Sequence, residues 1–511
     1  MLLFNDLVSK TWSDRHRLGR TAVAAVLGLA LLTAAHGVGY AEARTAQVRT
    51  VGASGHGVPD VLAPKVTHEP DAYELLGVSC SSVQYCLAVG YGDGPSFDGG
   101  VAVPITNGVA GKPVESTDAT SVFRADTCVS SSECLIAGQG TPPGTSSVQA
   151  EVWLLRGRKL TLINQRDSDA NVSSNFRAAA CWSAKACEVA GDAVYDSKDF
   201  GQEPIAVFGR VSLSGTPSAT VYDASALAYA AAVACPSGKE CYAGGATVGE
   251  SGAVADINPS RNTVTGPLVQ PTVAGLEAIA CATVTSCGAA EVQYLADSQT
   301  VGWVEHFNQR AEGTPALVTD SELMFGIAEV NQAYYLAVGS VQDGGWLTDL
   351  MTSSGRALAP GLPGELGYLQ AITCPVQTEC IAAGFSTDSA KVQPGGLDGV
   401  DGAIAVFHLK TAPSAPGLAV KSATSSSVTL SIGPPDSNGG AAITRYQVEV
   451  SRCKPHHKAC QLEVVKTVGV PGTRRTVTVT GLGPGTTYYF QAAATNAIGT
   501  GPFSVRVQSR G

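Results

Sequence analysis

One recurring phrase constrains this chain more than any other feature. It is clearest at residues 370–384, QAITCPVQTECIAAG, where two cysteines stand six positions apart between a small-residue run and a second such run ending in glycine. Copies begin at Cys80, Cys128, Cys181, Cys235, Cys281 and Cys374. A further copy at 327–339, IAEVNQAYYLAVG, carries Glu329 and Tyr335 in place of the two cysteines. Seven anchors 45 to 54 residues apart, joined by short alternating apolar segments with little helix-period patterning, predict one four-stranded unit per copy. The expected fold class is all-β: a seven-bladed β-propeller over residues 61–410.

Within each copy the first strand ends at the first cysteine and the second cysteine opens the returning strand. The third strand carries a recurring aromatic, Trp153, Phe208, Phe307 or Phe407. Three residues before the first anchor stand Gly77, Ala125, Ala178, Ala232, Ala278, Gly326 and Ala371. One residue before it stand Ser79, Thr127, Ala180, Ala234, Ala280, Ala328 and Thr373. Neither register admits a large side chain, which is the requirement where strands of neighbouring sheets crowd together. The last copy has no fourth strand of its own, and VLAPKVTHEPDAYEL (61–75) precedes the first copy. That N-terminal segment is expected to supply the missing outer strand, closing the propeller and covering an open sheet edge.

Residues 1–43 read as an export signal: Arg15, Arg17 and Arg20, then TAVAAVLGLALLTAA, then a small-x-small site at Ala41–Ala43. Cleavage after Ala43 is expected, with an uncleaved membrane anchor over residues 21–39 as the alternative. Residues 44–60 read as a flexible leader, and TAPSAPG (411–417) as a linker between domains. A formal charge of −10 without a basic cluster argues against nucleic acid as a partner.

The segment after that linker, 418–511, resembles a fibronectin type III domain. SSVTLSIGPPDSNGGAAITRYQVEVS matches the early strands, GLGPGTTYYFQAAATNAIGTGPFS the later ones, and Tyr488 stands six residues after Leu482 where the family has its tyrosine-corner residue. Ile432 stands where many members carry a core tryptophan, which implies repacking within the same β-sandwich. The repeat half is similar to a group of exported bacterial repeat proteins with Cys-(five residues)-Cys followed by small residues and glycine. That likeness implies fold and compartment, and a secreted or cell-surface location, but no chemistry.

All fourteen cysteines fall into close pairs. Even count, regular spacing and an export signal predict the disulfides Cys80–Cys86, Cys128–Cys134, Cys181–Cys187, Cys235–Cys241, Cys281–Cys287, Cys374–Cys380 and Cys453–Cys460. Metal binding is the rival reading, strongest where His456 and His457 lie between Cys453 and Cys460. The dispersed repeat pairs make no tetrahedral site, so no metal and no cofactor is expected. The acidic GGLDGVDG (395–402) matches calcium loops poorly.

Four residues before the first anchor the copies diverge: Leu76, Arg124, Arg177, Ala231, Glu277, Phe325 and Gln370. Variation in an otherwise uniform register marks ligand-facing positions, so Arg124, Arg177, Glu277 and Gln370 are the candidate binding residues. The two arginines, on neighbouring units, would clamp a carboxylate or sulfate. Glu277 and Gln370 would bond hydroxyls. The long polar loops GYGDGPSFDGG, GDAVYDSKDFGQE and GFSTDSAKVQPGGLDGVDG are expected to share that face. The function this predicts is an exported, non-catalytic binding or adhesion protein for a glycan, a cell-surface polymer or a protein. The alternative is an extracellular glycosidase or accessory protein of polysaccharide degradation, for which Asp126 and Glu277 would be the acids to test. No sialidase box, Gly-x-Ser-x-Gly elbow or His-Glu-x-x-His motif supports catalysis.

Overall fold

A computed structural model describes residues 58–510 except 70, 94–97, 166–171, 198–200, 271–272, 295–299, 308–314, 319–320, 332, 342–344, 353–366, 388–399 and 455–459. The expected export signal or anchor, most of the expected leader, His456 and His457, and most of GGLDGVDG lie outside the described residues. Among the described residues no helix is long and apolar enough to cross a membrane. The chain divides into two compact units, one with residues 65–376 and 380–406, the other with residues 58–64, 377–379 and 407–510.

In the N-terminal unit each repeat forms its own antiparallel sheet. Sheet one holds Glu74–Ser82, Tyr85–Asp93, Asp98–Thr106 and Val109–Ala110, with Val114–Glu115 also on the third strand. Sheet two holds Val122–Ser130, Glu133–Gly140, Gln149–Arg156 and Lys159–Gln165. Sheet three begins with Val172–Ser183 and Ala186–Ser197, sheet four with Tyr229–Ser237 and Glu240–Ala246, and sheet five with Gly275–Thr283 and Ser286–Tyr294. Sheet six has three strands, Ser321–Asn331, Tyr334–Val341 and Trp346–Thr352. Sheet seven holds Gly367–Val376, Glu379–Thr387 and Val400–Lys410, and its outer positions are taken by Asp60–Val61 and Lys65–Glu69.

The seven-bladed β-propeller expected from the repeat is corrected by this topology. The strands make separate sheets of three to five strands, the strand ladder stops at the edge of each, and none is closed or curled into a barrel or propeller. The repeat period specifies one small sheet per copy; side-chain packing and side-chain hydrogen bonds, such as Ala150 N–H to Ser174 Oγ, join one sheet to the next. First strands of consecutive sheets pack together, and Gly367–Val376 packs on Glu74–Ser82. The core is correspondingly distributed in layers. Leu87, Val89 and Ala102 of sheet one meet Phe123, Ile136 and Trp153 of sheet two, and Leu135, Val152 and Leu154 of sheet two meet Phe176, Val189 and Val207 of sheet three. The third-strand aromatics Trp153, Phe208, Phe307 and Phe407 are all buried.

The crowding read from the small-residue registers is visible in the close approach of the first strands. A Cβ on Gly77 would lie 2.9 Å from Ala125 Cα, and one on Gly326 would lie 3.1 Å from Ala371 Cα. The repeat's glycine has a second reason. In sheet three, a Cβ on Gly191 would sit 2.8 Å from Phe176 Cα and closer still to the Asn175 carbonyl oxygen. Gly90, Gly138, Gly245, Gly339 and Gly384 face the same obstruction from Glu74, Val122, Tyr229, Leu323 and Tyr368. Sheet five departs from the pattern: Glu291 occupies that register, fully buried, and a glycine stands at 275.

All seven disulfides form as paired in the sequence. In the repeats they join facing residues on the first two strands, with Cα atoms 3.9 to 4.1 Å apart. Glu329 and Tyr335 face each other in the same register of sheet six. Tyr335 is fully buried there and its hydroxyl donates to Ser286 O at 3.1 Å, so a side chain packed on sheet five stands where the other copies have a covalent staple.

The C-terminal unit is a sandwich of two sheets. One holds Pro416–Ala423, Ser427–Pro435 and Thr476–Thr480; the other holds Leu462–Pro471, Arg445–Cys453, Thr487–Thr495 and Val507–Arg510. Its core includes Leu430, Ile432, Tyr446, Val448, Phe490 and Ala492. Ile432 is buried among them, so the sandwich closes without a tryptophan at that position. The Gly483 N–H donates to the Tyr488 hydroxyl at 2.9 Å, the bond of a tyrosine corner. Residues 411–417, read as a linker, are bonded into the sandwich at their start. Thr411 is fully buried, its N–H donates to Gly439 O at 2.8 Å, and its carbonyl accepts from Asn496 Nδ2 at 2.7 Å.

Candidate functional site

The divergent register four residues before the first anchor coincides with a backbone irregularity. In sheets one to six the pairing of the first two strands slips by one residue there, and the residue passed over is Leu76, Arg124, Arg177, Ala231, Glu277 or Phe325. A β-bulge leaves its extra residue outside the ladder and re-aims its side chain. The carbonyl that fills the space beside the repeat's glycine belongs to the residue two positions before the bulged one: Glu74 before Leu76, Val122 before Arg124, Asn175 before Arg177. Glycine and divergent residue thus flank the same stretch of the strand pair, which sequence does not show.

Arg124, Arg177, Glu277 and Gln370 are brought into one network of polar side chains. Arg177 Nε meets Asp192 Oδ1 at 2.6 Å, and Asn175 Nδ2 donates to the other carboxylate oxygen at 3.1 Å. The Arg177 guanidinium lies over the Tyr229 ring, 5.8 Å from its centroid, and within the field of Glu277. Arg124 stands beside Arg177, Asp192, Tyr91 and Glu74, and its Nε donates to Gln139 Oε1 at 3.2 Å. Gln370 Nε2 donates to Glu74 Oε1 at 2.9 Å, and the Tyr91 hydroxyl donates to Glu74 Oε2 at 3.0 Å. Within the fields of Glu322 and Glu74 is Tyr368, flanked by Phe325 and Phe385 at centroid distances of 6.1 and 5.1 Å. All three rings are half-buried.

The electrostatics separate the two arginines. Burial lowers the Arg177 guanidinium, but the Asp192 charge and hydrogen bond, with Glu277 behind them, outweigh it and the group ends above its usual range. Burial and the repulsion of Arg177 pull Arg124 down to about 10, with only more distant acids opposing. Glu74 is raised by burial against the lowering hydrogen bonds of Tyr91 and Gln370, and Glu277 by burial against the pull of Arg177. Arg177 is a partnered cation. Arg124 remains a cation without a hydrogen-bonded acid among the described residues.

Sequence reasoning missed Glu74, Tyr91, Gln139, Asn175, Asp192, Tyr229 and Tyr368. Tyr91, Gln139 and Asp192 follow the repeat glycine directly, in a register that reads Tyr91, Gln139, Asp192, Ala246, Val292, Ser340 and Phe385 across the copies. Glu74, Asn175, Tyr229 and Tyr368 lie six residues before the first anchor, beside Val122, Gly275 and Leu323 in the other copies. Both registers diverge as strongly as the one that was noticed, and the ladder pairs them: Glu74 with Tyr91, Asn175 with Asp192, Tyr229 with Ala246.

Asp126 and Glu277, the acids named for a hydrolase, have different neighbours. The Asp126 carboxyl is buried and accepts from Ser79 Oγ beside Cys128, whereas Glu277 faces Arg177. Among the described residues no cluster of three or more histidines, cysteines or acids has the geometry to hold a metal.

The sequence pattern of the fibronectin type III domain matches residues 411–510, so the sandwich is a fibronectin type III domain. No curated protein matches the chain. Among solved structures, titin kinase with its flanking domains is 28% identical over 19% of this chain and 17% of that one, with a TM-score of 0.16. The twitchin kinase region from C. elegans is 22% identical over 19% of this chain and 16% of that one, with a TM-score of 0.16. The FN5 domain of Drosophila Lar is 24% identical over 19% of this chain and 95% of that domain, with a TM-score of 0.16. The chain spans about a sixth of the length of the titin and twitchin structures. The seven disulfides and the fibronectin type III domain are consistent with an extracellular protein.

Proposed function

We propose that this chain is a non-catalytic extracellular recognition protein. Its ligand, a glycan of a secreted or cell-surface polymer, docks on the network of Glu74, Arg124, Arg177, Glu277 and Gln370. The supporting observation is that the bulged first strands offer different side chains from sheet to sheet while the surrounding framework is repeated, and that the polar ones meet. A scaffold needs no such divergence at bulges, and β-bulges are over-represented where a side chain must be re-aimed at a site. Convergent donors and acceptors beside half-buried aromatic rings are the equipment of a binding site for a hydroxylated ligand. The fibronectin type III domain serves as spacer or attachment module. For the hydrolase reading the two acids are held by different partners: Asp126 accepts from Ser79, and Glu277 lies in the field of Arg177.

The test is an array of neutral and charged glycans probed with the full chain, with product detection on every hit. Saturable binding without product, weakened by Glu74→Gln, is the expected result. Turnover of any bound glycan sinks the non-catalytic reading, and an array without hits sinks the glycan.

A further inference from the structure

We infer that Arg124 anchors the single carboxylate of an acidic sugar unit, with Glu74 and Gln370 bonding its hydroxyls and Tyr368 receiving its ring face. The inference rests on the reading that this network binds a glycan and names the class of glycan. Guanidinium carries five N–H donors in a planar fork. The protein uses one on Arg124, the bond to Gln139, and no carboxylate hydrogen-bonds this group among the described residues. Its nearest strong field is a second cation, Arg177, itself already held by Asp192. An enclosed cation facing a like charge is costly until an anion arrives, and a carboxylate matches the fork with two parallel bonds. The notion that both arginines clamp the anion is thereby narrowed to one of them.

The neighbours decide what else the anion belongs to. Glu74 is close to Arg124, and each of its oxygens accepts one protein hydrogen bond and keeps a further lone pair for a hydroxyl donor. A multiply charged phosphate meets repulsion from that acid; a singly charged carboxylate on a ring with hydroxyls meets less and gains a partner. Within the field of Glu74 is the half-buried Tyr368, flanked by Phe325 and Phe385, an apolar surface for the C–H face of a pyranose. Carboxylate, hydroxyls and a ring face together describe a uronic acid.

Calorimetric titration of the full chain with trigalacturonate, with neutral galactotriose and with a sulfated galactose oligosaccharide tests this. Trigalacturonate is expected to bind at least tenfold tighter than the neutral trisaccharide, with affinity falling as salt is raised. Arg124→Gln should weaken it by about 10- to 100-fold and abolish the preference, whereas Arg124→Lys retains part of it. Tyr368→Ala should weaken acidic and neutral sugars alike. Thermal midpoints of the variants separate lost binding from lost fold, and the lysine variant carries the comparison if the glutamine variant unfolds. Equal affinity for acidic and neutral sugars, or indifference to Arg124→Gln, overturns the anchor while leaving glycan recognition standing. Tighter binding of the sulfated probe overturns the carboxylate. Binding of none of the three saccharides overturns both readings.

Discussion

Replacing Gly191 by alanine puts the link between repeat, bulge and site to a direct test. The added Cβ would lie 2.8 Å from both Asn175 C and Phe176 Cα, and nearer to the Asn175 oxygen. A comfortable carbon–carbon contact is roughly 3.5 Å or more, so backbone must move by more than half an ångström on that count alone. Neither side is free to give way. Phe176 is fully buried in the layer between sheets two and three, and Asn175 is bonded to Asp192. Overpacking of this kind costs about 3 kcal/mol or more. With roughly 2 cal/mol/K of unfolding entropy per residue, that lowers the melting midpoint of the N-terminal unit by about 4 °C. The shift is read by circular dichroism on the full chain with its disulfides intact. Gly249→Ala is the control: nothing lies closer to its Cβ position than Thr247 Oγ1 at 3.7 Å, and a neutral or slightly stabilising result is expected. Because the displaced strand carries Arg177, Gly191→Ala should also weaken ligand binding. A midpoint within 1 °C of the parent, with the control behaving as stated, would refute the claim that the Asn175 carbonyl requires glycine at 191.

Three further outcomes are expected. The double variant Cys281→Ser, Cys287→Ser removes a six-residue-separated staple and should cost about 2 kcal/mol in denaturant unfolding, by the loop-entropy estimate. Burial raises Asp126 from 3.8 to about 8 against the opposing hydrogen bonds from Ser79. The native state therefore keeps a proton that the unfolded chain releases, so Asp126 lowers stability progressively as pH rises from about 4 to about 8. Asp126→Asn should flatten that part of the curve in urea titrations at pH 5 and pH 8, and an unchanged slope would refute the assignment. In the C-terminal domain, Tyr488→Phe leaves the Gly483 N–H without its acceptor and should cost about 1 kcal/mol, seen as an earlier calorimetric transition of that domain.

The sequence alone determined a good deal. Cysteine spacing paired all seven disulfides, because facing residues across a tight turn are the only partners a short separation allows. It located the copy that lacks cysteines, since Glu329 and Tyr335 keep the register and its small neighbours. It identified the C-terminal domain by its resemblance to the fibronectin type III family, carried by its strand segments and Tyr488. It also brought forward Arg124, Arg177, Glu277 and Gln370 as candidates, because divergence inside a uniform register is visible without coordinates. The arrangement of the repeats went beyond it. A period fixes how many strands one copy can form, but closure depends on how sheet faces pack, and the expected propeller gave way to separate sheets. The partners of the four site residues were likewise out of reach. Glu74 and Gln370 are joined at 2.9 Å although 296 positions separate them, and only packing brings such residues together. Which arginine has an acid as its partner depended on a single cross-strand neighbour: Asp192 beside Arg177, Gln139 beside Arg124. Two copies of one strand pair differ there by one side chain, and the charge of that side chain shows only once the bulge has placed the arginine against it.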